Sequence, residues 1–220
     1  MILEKENKMK KPKLIIFDFS GTLACFKKYD PKEYFSCLAE LGLEIKNEGQ
    51  MKLFHNLFSQ SLVHALDWFD FSRKMLDGFS LKIDKEKFDK LTEFFKKRTT
   101  PELYNDAREV IDLPFPKAIL STGARFLIEA VFPKGFEIFS PKETKFIKPD
   151  KRAFLCVLEK MKKRPEETIM IGDEIERDLV PARELGMEVI LIDRENKISN
   201  PSFKKINSLA ELKKILITGL

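Results

Sequence analysis

The chain has 220 residues, enough for one sizeable domain or for a core carrying a small accessory domain. Hydrophobic residues make up 43% of it, with twenty phenylalanines against one tryptophan, so a Phe-rich interior can form. The net charge of +5 comes from 40 basic and 35 acidic residues spread along the chain, and the lysine pairs stand beside Glu and Asp in helical patterns. That is a solvated surface rather than the clustered basic face that nucleic acid needs.

The start, MILEKENKMKKPK, lacks the apolar stretch of a signal peptide, and residues 1–12 read as an N-terminal tail. No apolar run reaches the ~18 residues of a membrane helix, so no membrane partner is expected. Leu14–Phe17 is the first apolar run and reads as a buried strand.

Residues 28–98 have no convincing strand. Asp30-Pro31 is an N-cap followed by proline at N1, Tyr34, Phe35, Leu38 and Leu41 share one face, and Gly42 ends that helix. A second helical stripe carries Met51, Phe54, Leu57, Phe58 and Leu62. Trp68, Phe69 and Phe71 follow, and Asp84 caps a helix bearing Phe88, Leu91, Phe94 and Phe95. This reads as a helical module inserted after the first strand, its aromatics serving packing.

From residue 99 onward strand and helix alternate. The strands are Ala118–Leu120, Phe136–Phe139, Thr168–Ile171 and Glu188–Ile192, mostly continuous apolar runs, as in a parallel sheet covered on both faces. Helical patterns lie at Asp106–Ile111, Arg125–Val131, Pro149–Lys163 and Glu176–Leu185, the last ended by Gly186. Ser208-Leu-Ala-Glu211 is a capping box opening a final amphipathic helix. The expected fold is α/β: a doubly wound, Rossmann-like parallel sheet core formed by residues 13–27 and 99–220, with residues 28–98 as a small all-helical domain. Cys25, Cys37 and Cys156 are odd in number and fit neither a disulfide framework nor a zinc site, which points to a reduced, cytoplasmic setting.

The chemistry-bearing residues fall at strand ends, where open α/β sheets place their ligands. The first strand runs into Phe17-Asp18-Phe19-Ser20-Gly21-Thr22. The second runs into Ser121-Thr122-Gly123. Lys148 lies in Phe146-Ile147-Lys148-Pro149-Asp150, ahead of a helix, and the fourth strand runs into Gly172-Asp173-Glu174-Ile175-Glu176-Arg177-Asp178. Each piece alone is weak. In the order Asp, Ser, Lys, Gly-Asp-x-x-x-x-Asp, the chain from about Lys13 onward resembles the haloacid dehalogenase superfamily.

The resemblance implies a hydrolase in which Asp18 is a covalent nucleophile and Asp18 and Asp173 share one Mg²⁺, with the backbone carbonyl of Ser20 as a third ligand. Asp178 would hold a metal-bound water or Lys148. Lys148 would offset the charge of Asp18 and of the transferred group. Ser121, with Thr122 and Gly123 beside it, would bind the phosphoryl oxygens, and Thr22 would fix the turn or orient the nucleophile. The helical module matches the family's cap between the first and second motifs, and the short interval from Ser121 to Lys148 leaves no room for a second large one. Arg73 and Lys74 are the cap cations expected to meet the substrate, the plain alternative being a solvated helix face. The implied partner is a small phosphorylated or otherwise anionic metabolite, and the implied assembly a monomer or homodimer.

One position departs from the family. Its phosphatases carry a second Asp two residues after the nucleophile, as general acid and base, and here that residue is Ser20. General acid–base catalysis contributes ~10²–10⁴-fold, so slow phosphatase turnover is expected. A phosphonate hydrolase would instead need a cap lysine, for which Lys27, Lys28, Lys52 and Lys74 are candidates. A 2-haloacid dehalogenase would need no metal, and the acid-rich fourth motif argues against it, because unneutralised carboxylates would repel its anionic substrate. A protein that binds a phosphometabolite or a partner without turnover is the remaining alternative.

Overall fold

A computed structural model describes residues 11–132, 135–199 and 201–218. Eight strands occur among them: β1 (Leu14–Phe17), β2 (Ala24–Cys25), β3 (Glu102–Leu103), β4 (Lys117–Leu120), β5 (Glu137–Phe139), β6 (Thr168–Gly172), β7 (Glu188–Ile192) and β8 (Lys204–Ile206). Six form one parallel sheet in the order β5-β4-β1-β6-β7-β8. Ile15 pairs with Lys117 on one side and Ile169 on the other, and Phe17 with Ile119 and Ile171.

This register explains why the strands are apolar throughout. Successive side chains point to opposite faces. Ile15, Phe17, Ile119, Ile169 and Ile171 enter one core cluster, and Leu14, Ile16, Ala118, Leu120 and Met170 enter the other. The first cluster is covered by a 3-10 turn over Asn105–Val110 and by the C-terminal segment, through Ala107, Val110, Leu209 and Leu212. The second is covered by Ala153, Phe154, Val157 and Leu158 from one helix (Lys151–Met161) and by Ala182 from another (Val180–Glu184). The latter ends in a Schellman motif at Gly186, with the Gly186 N–H on the Arg183 carbonyl and the Met187 N–H on the Ala182 carbonyl.

Between β1 and β4 the chain forms four helices, α1 (Pro31–Glu40), α2 (Glu48–His64), α3 (Trp68–Gly78) and α4 (Lys85–Thr99). Each is capped by a carboxylate or amide that accepts from the N3 backbone N–H: Asp30, Asn47, Asp67 and Asp84. The helices bury their own cluster around Phe54, Phe71, Met75, Leu91 and Phe95, with the Phe71 and Phe95 rings edge-on at 5.1 Å. The antiparallel pair β2–β3 ties the points where the chain leaves and re-enters the sheet region. Two contacts seat α2 and α3 on the sheet region: Leu62 O accepts from Ala124 N at 2.7 Å, and the Trp68 ring packs edge-on against Phe126 at 4.8 Å.

Several elements differ from the sequence expectation. The strand expected over Phe136–Phe139 begins at Glu137, and the helix over Asp106–Ile111 is a 3-10 turn. The helix over Glu176–Leu185 is a π-helical turn, Ile175–Leu179, followed by the short α-helix Val180–Glu184. Half of the expected capping box at the C-terminal helix is present: the Glu211 carboxylate accepts from Ser208 N, while the Ser208 hydroxyl donates to Asp106. The expected tail lies almost wholly outside the described residues. No helix among them is long and apolar enough to cross a membrane.

Candidate active site

β4, β1 and β6 lie side by side, and their carboxyl ends run directly into Ser121, Asp18 and Asp173. The chain crosses here from one side of β1 to the other, the place where open parallel sheets leave a crevice. Two glycines let the acids approach. A Cβ on Gly21, whose φ is +88°, would lie 2.1 Å from the Asp173 carboxylate, and one on Gly172 would lie 2.4 Å from that of Asp178. The Thr22 hydroxyl donates to Asp173 at 3.2 Å. The π-helical turn carries Asp178 inward, where its side chain is buried. Such turns widen a helix by one residue and recur at functional sites.

Lys148 is the electrostatic centre. Its buried ammonium donates to Asp18 Oδ1 at 2.5 Å and to Asp178 Oδ1 at 2.6 Å. Burial opposes its charge, but the two carboxylates outweigh burial and raise its pKa above the usual lysine value. Asp178 is pushed up by burial, with Lys148 pulling the other way. Asp173 is pushed up to about 7 by burial and then by the charges of Asp18 and Asp178. Asp18 Oδ2 is buried and has no hydrogen-bond partner. Asp18, Asp173 and Asp178 can each present an oxygen within 4.8 Å of the others. Three acids against one buried ammonium, with one carboxylate oxygen left without a donor, is a donor set that fits a hard divalent cation.

A second network holds the turn after Asp18. Arg194, which follows β7 at the same sheet edge, donates to the backbone carbonyls of Gly21 (3.2 Å) and Thr22 (2.6 Å) and pairs with Asp106 through two 3.0 Å bonds. Its guanidinium lies 3.7 Å above the Tyr104 ring. Asp106 also accepts from the Ser208 hydroxyl and from Leu209 N.

The raised pKa of Asp173 sets a pH dependence. A carboxyl whose folded pKa lies above its ordinary 3.8 contributes stability below that value and loses it as pH rises through about 7. Without divalent cations, the melting temperature is therefore expected to fall across that window. Asp173→Asn should flatten the fall, and melting curves in chelator against pH would show it. A wild-type curve as flat as the variant's would remove Asp173 from the coupled cluster.

A family model for haloacid dehalogenase-like hydrolases matches residues 12–186. The chain belongs to the haloacid dehalogenase-like hydrolases. A search of curated proteins finds no match. Solved structures with the same fold include a HAD phosphatase from Thermococcus onnurineus (20% identity, 93% of this chain and 98% of that one, TM-score 0.61). They also include a 2-haloacid dehalogenase from Pseudomonas syringae pv. Tomato DC3000 (19%, 95% and 100%, TM-score 0.65). A third is the HAD-hydrolase YfnB from Bacillus subtilis bound to magnesium (21%, 94% and 99%, TM-score 0.57).

In this hydrolase a cavity of about 360 Å³ opens between the strand ends and α2. Ser20, Ser121, Thr122 and Gly123 line one side, and Ser59, Leu62 and Val63 line the other. Ser20 is exposed, and Ser121 Oγ accepts from Gly123 N at 2.9 Å. Arg73 and Lys74 do not line the cavity. Lys74 pairs with Asp70 one turn back on α3, and Arg73 lies over the Phe69 ring at 5.6 Å. An amphipathic helix turns its cations away from the side that packs, and Arg73 and Lys74 follow that rule. Ser59, Val63 and Phe26 carry no motif that marks them. Arg194 follows a strand at the carboxyl edge, and the same strand-end rule that singled out Asp18 points to it.

Proposed function

We propose that this hydrolase is a Mg²⁺-dependent phosphatase of a small phosphorylated metabolite, working through an aspartyl-phosphate on Asp18. The observation that carries the reading is the buried Lys148 bridging Asp18 and Asp178, beside an Asp18 Oδ2 without a partner and the acid Asp173. Asp18, Asp173 and the Ser20 carbonyl would hold the ion, with Asp178 behind them. Bound Mg²⁺ supplies positive charge that offsets the carboxylates and the phosphoryl oxygens.

In the first step an Asp18 carboxylate oxygen attacks phosphorus, the P–O bond to the alcohol breaks with its electron pair going to the leaving oxygen, and that oxygen takes a proton from solvent water. In the second, water attacks the phosphorus of the acyl phosphate, the bond to Asp18 breaks, and inorganic phosphate departs. Lys148 holds Asp18 in place and neutralises charge as the dianion approaches. The Ser121 hydroxyl, its oxygen already accepting from Gly123 N, is left to donate its proton to a phosphoryl oxygen. The helices of residues 28–98 act as the cap that excludes water. The acid cluster disfavours a 2-haloacid substrate, which would bring a further carboxylate to three others without a metal. None of Lys27, Lys28, Lys52 and Lys74 lines the cavity, so the lysine of a phosphonate hydrolase has no counterpart among the described lining residues.

The test lies at Ser20, whose hydroxyl neither gives up its proton nor takes a second one near neutral pH and so cannot serve as a general acid and base. Aryl esters such as p-nitrophenyl phosphate, which leave unprotonated, should react much faster than alkyl esters, with a product burst as the phospho-enzyme accumulates. Ser20→Asp is expected to raise steady-state turnover by up to ~10²-fold, within the usual contribution of an acid/base. EDTA should abolish activity in both forms. No burst in the wild type and no gain in Ser20→Asp with any phosphomonoester would overturn the phosphatase reading.

A further inference from the structure

The cavity beside Asp18 is polar at one end and apolar at the other. The strand ends contribute Ser20, Ser121 and Thr122, while Phe26, Leu62, Val63 and Leu127 form apolar wall, and α2 adds one hydroxyl, Ser59. Among the described lining residues the single charged side chain is Arg177. It comes from the strand-end loop immediately before Asp178 and pairs with Glu174 at 3.4 Å. Charge is thus supplied from the side where a phosphoryl group would meet Asp18, and the α2 side offers none. Phe26 is 38% exposed, an aromatic ring on the cavity wall that the core clusters do not cover. The bond from Ala124 N to Leu62 O holds Val63 at this wall.

From this distribution we infer that the cavity accepts phosphate esters of small, uncharged, largely apolar alcohols and discriminates against carboxylate-bearing ones, with Phe26 and Val63 setting the preference. The inference rests on the phosphatase reading. A carboxylate pressed against Phe26, Leu62, Val63 and Leu127 loses hydration and finds at most the single Ser59 hydroxyl in exchange. A hydrocarbon chain gains there, by about fourfold in affinity for each methylene buried.

The binding arm uses phosphonates, which keep the dianion but lack the scissile ester. Calorimetry on the full chain with Mg²⁺ is expected to give a Kd that falls about fourfold per carbon from methyl- to butylphosphonate. Phosphonoacetate should bind at least tenfold more weakly than propylphosphonate. Phe26→Ala should halve the logarithmic slope while leaving methylphosphonate unchanged. Val63→Arg should invert the order in favour of phosphonoacetate, with melting curves confirming that both variants fold. Arg177→Ala should weaken all ligands by the same factor. A flat chain-length series, tighter phosphonoacetate in the wild type, or selective loss of phosphonoacetate in Arg177→Ala would overturn the inference. Turnover of p-nitrophenyl phosphate is measured separately. If it is absent while the phosphonate order holds, the phosphatase reading fails and the cavity's preference stands.

Discussion

The Asp18→Asn variant is expected to fold normally and to lose turnover by roughly 10⁴–10⁶-fold, the scale on which a covalent nucleophile is missed. The amide keeps the shape of the side chain but cannot attack phosphorus, and it removes the negative charge that Lys148 holds at 2.5 Å. Stability should not suffer. Asp18 is one of the two charges that, after burial, push Asp173 up to about 7, so its removal eases the crowding and lets Asp173 ionise at lower pH. Rapid-quench assays with labelled substrate and melting curves on one preparation would read both effects. Retained turnover, or label incorporated elsewhere than residue 18, would place the nucleophile at another side chain.

Lys148→Met should have the largest effect on the fold itself. The side chain is 2% exposed and is the one cation between two buried carboxylates. Removing one partner of a buried ion pair costs about 3–5 kcal/mol, because the charge left behind has neither solvent nor counter-ion. The loss should be deepest at neutral and higher pH, where the unpaired acids must ionise, and should shrink in acid, where they stay protonated. Lys148→Met combined with Asp178→Asn removes one of the stranded charges and should regain much of the stability but none of the activity. Urea unfolding at two pH values tests the sign. A single variant as stable as the wild type at pH 8 would mean that the ammonium is not holding the acids together.

The strand ends were readable in the sequence because two signals coincide there. Apolar runs of about four residues mark buried parallel strands, and the polar residues that interrupt them fall on one edge. Asp18, Ser121, Asp173 and Asp178 are placed by that logic, and Lys148 by its position ahead of a helix. What escaped has local causes. β8 is three residues long with two lysines and only Ile206 buried, too short for a period to register. β2 and β3 have two residues each and exist through their pairing with one another. The stretch Ile175–Glu184 has helical periodicity, but periodicity does not report that the backbone widens to turn Asp178 toward Lys148. Arg73 and Lys74 have the charge expected of substrate-binding cations, but the helix face they occupy pairs them with Asp70 and the Phe69 ring and leaves them off the cavity. Ser140 and Glu143 form a capping box that went unread, because it lies outside the charged motifs.

Arg194 gives the reacting turn an unexpected dependency. Its guanidinium is shared between the Gly21 and Thr22 carbonyls and Asp106, and Asp106 is in turn fixed by Ser208 and Leu209. The turn after the nucleophile is therefore wired to the last segment of the chain, almost two hundred residues away in sequence. Fraying of that segment frees Asp106, and a freed Asp106 loosens the guanidinium that steadies Gly21 and Thr22. The two regions should open as one cooperative unit, with amide hydrogens at Thr22 and Leu209 exchanging in step. A change at the far end of the chain could then slow the chemistry without touching any residue that meets the substrate.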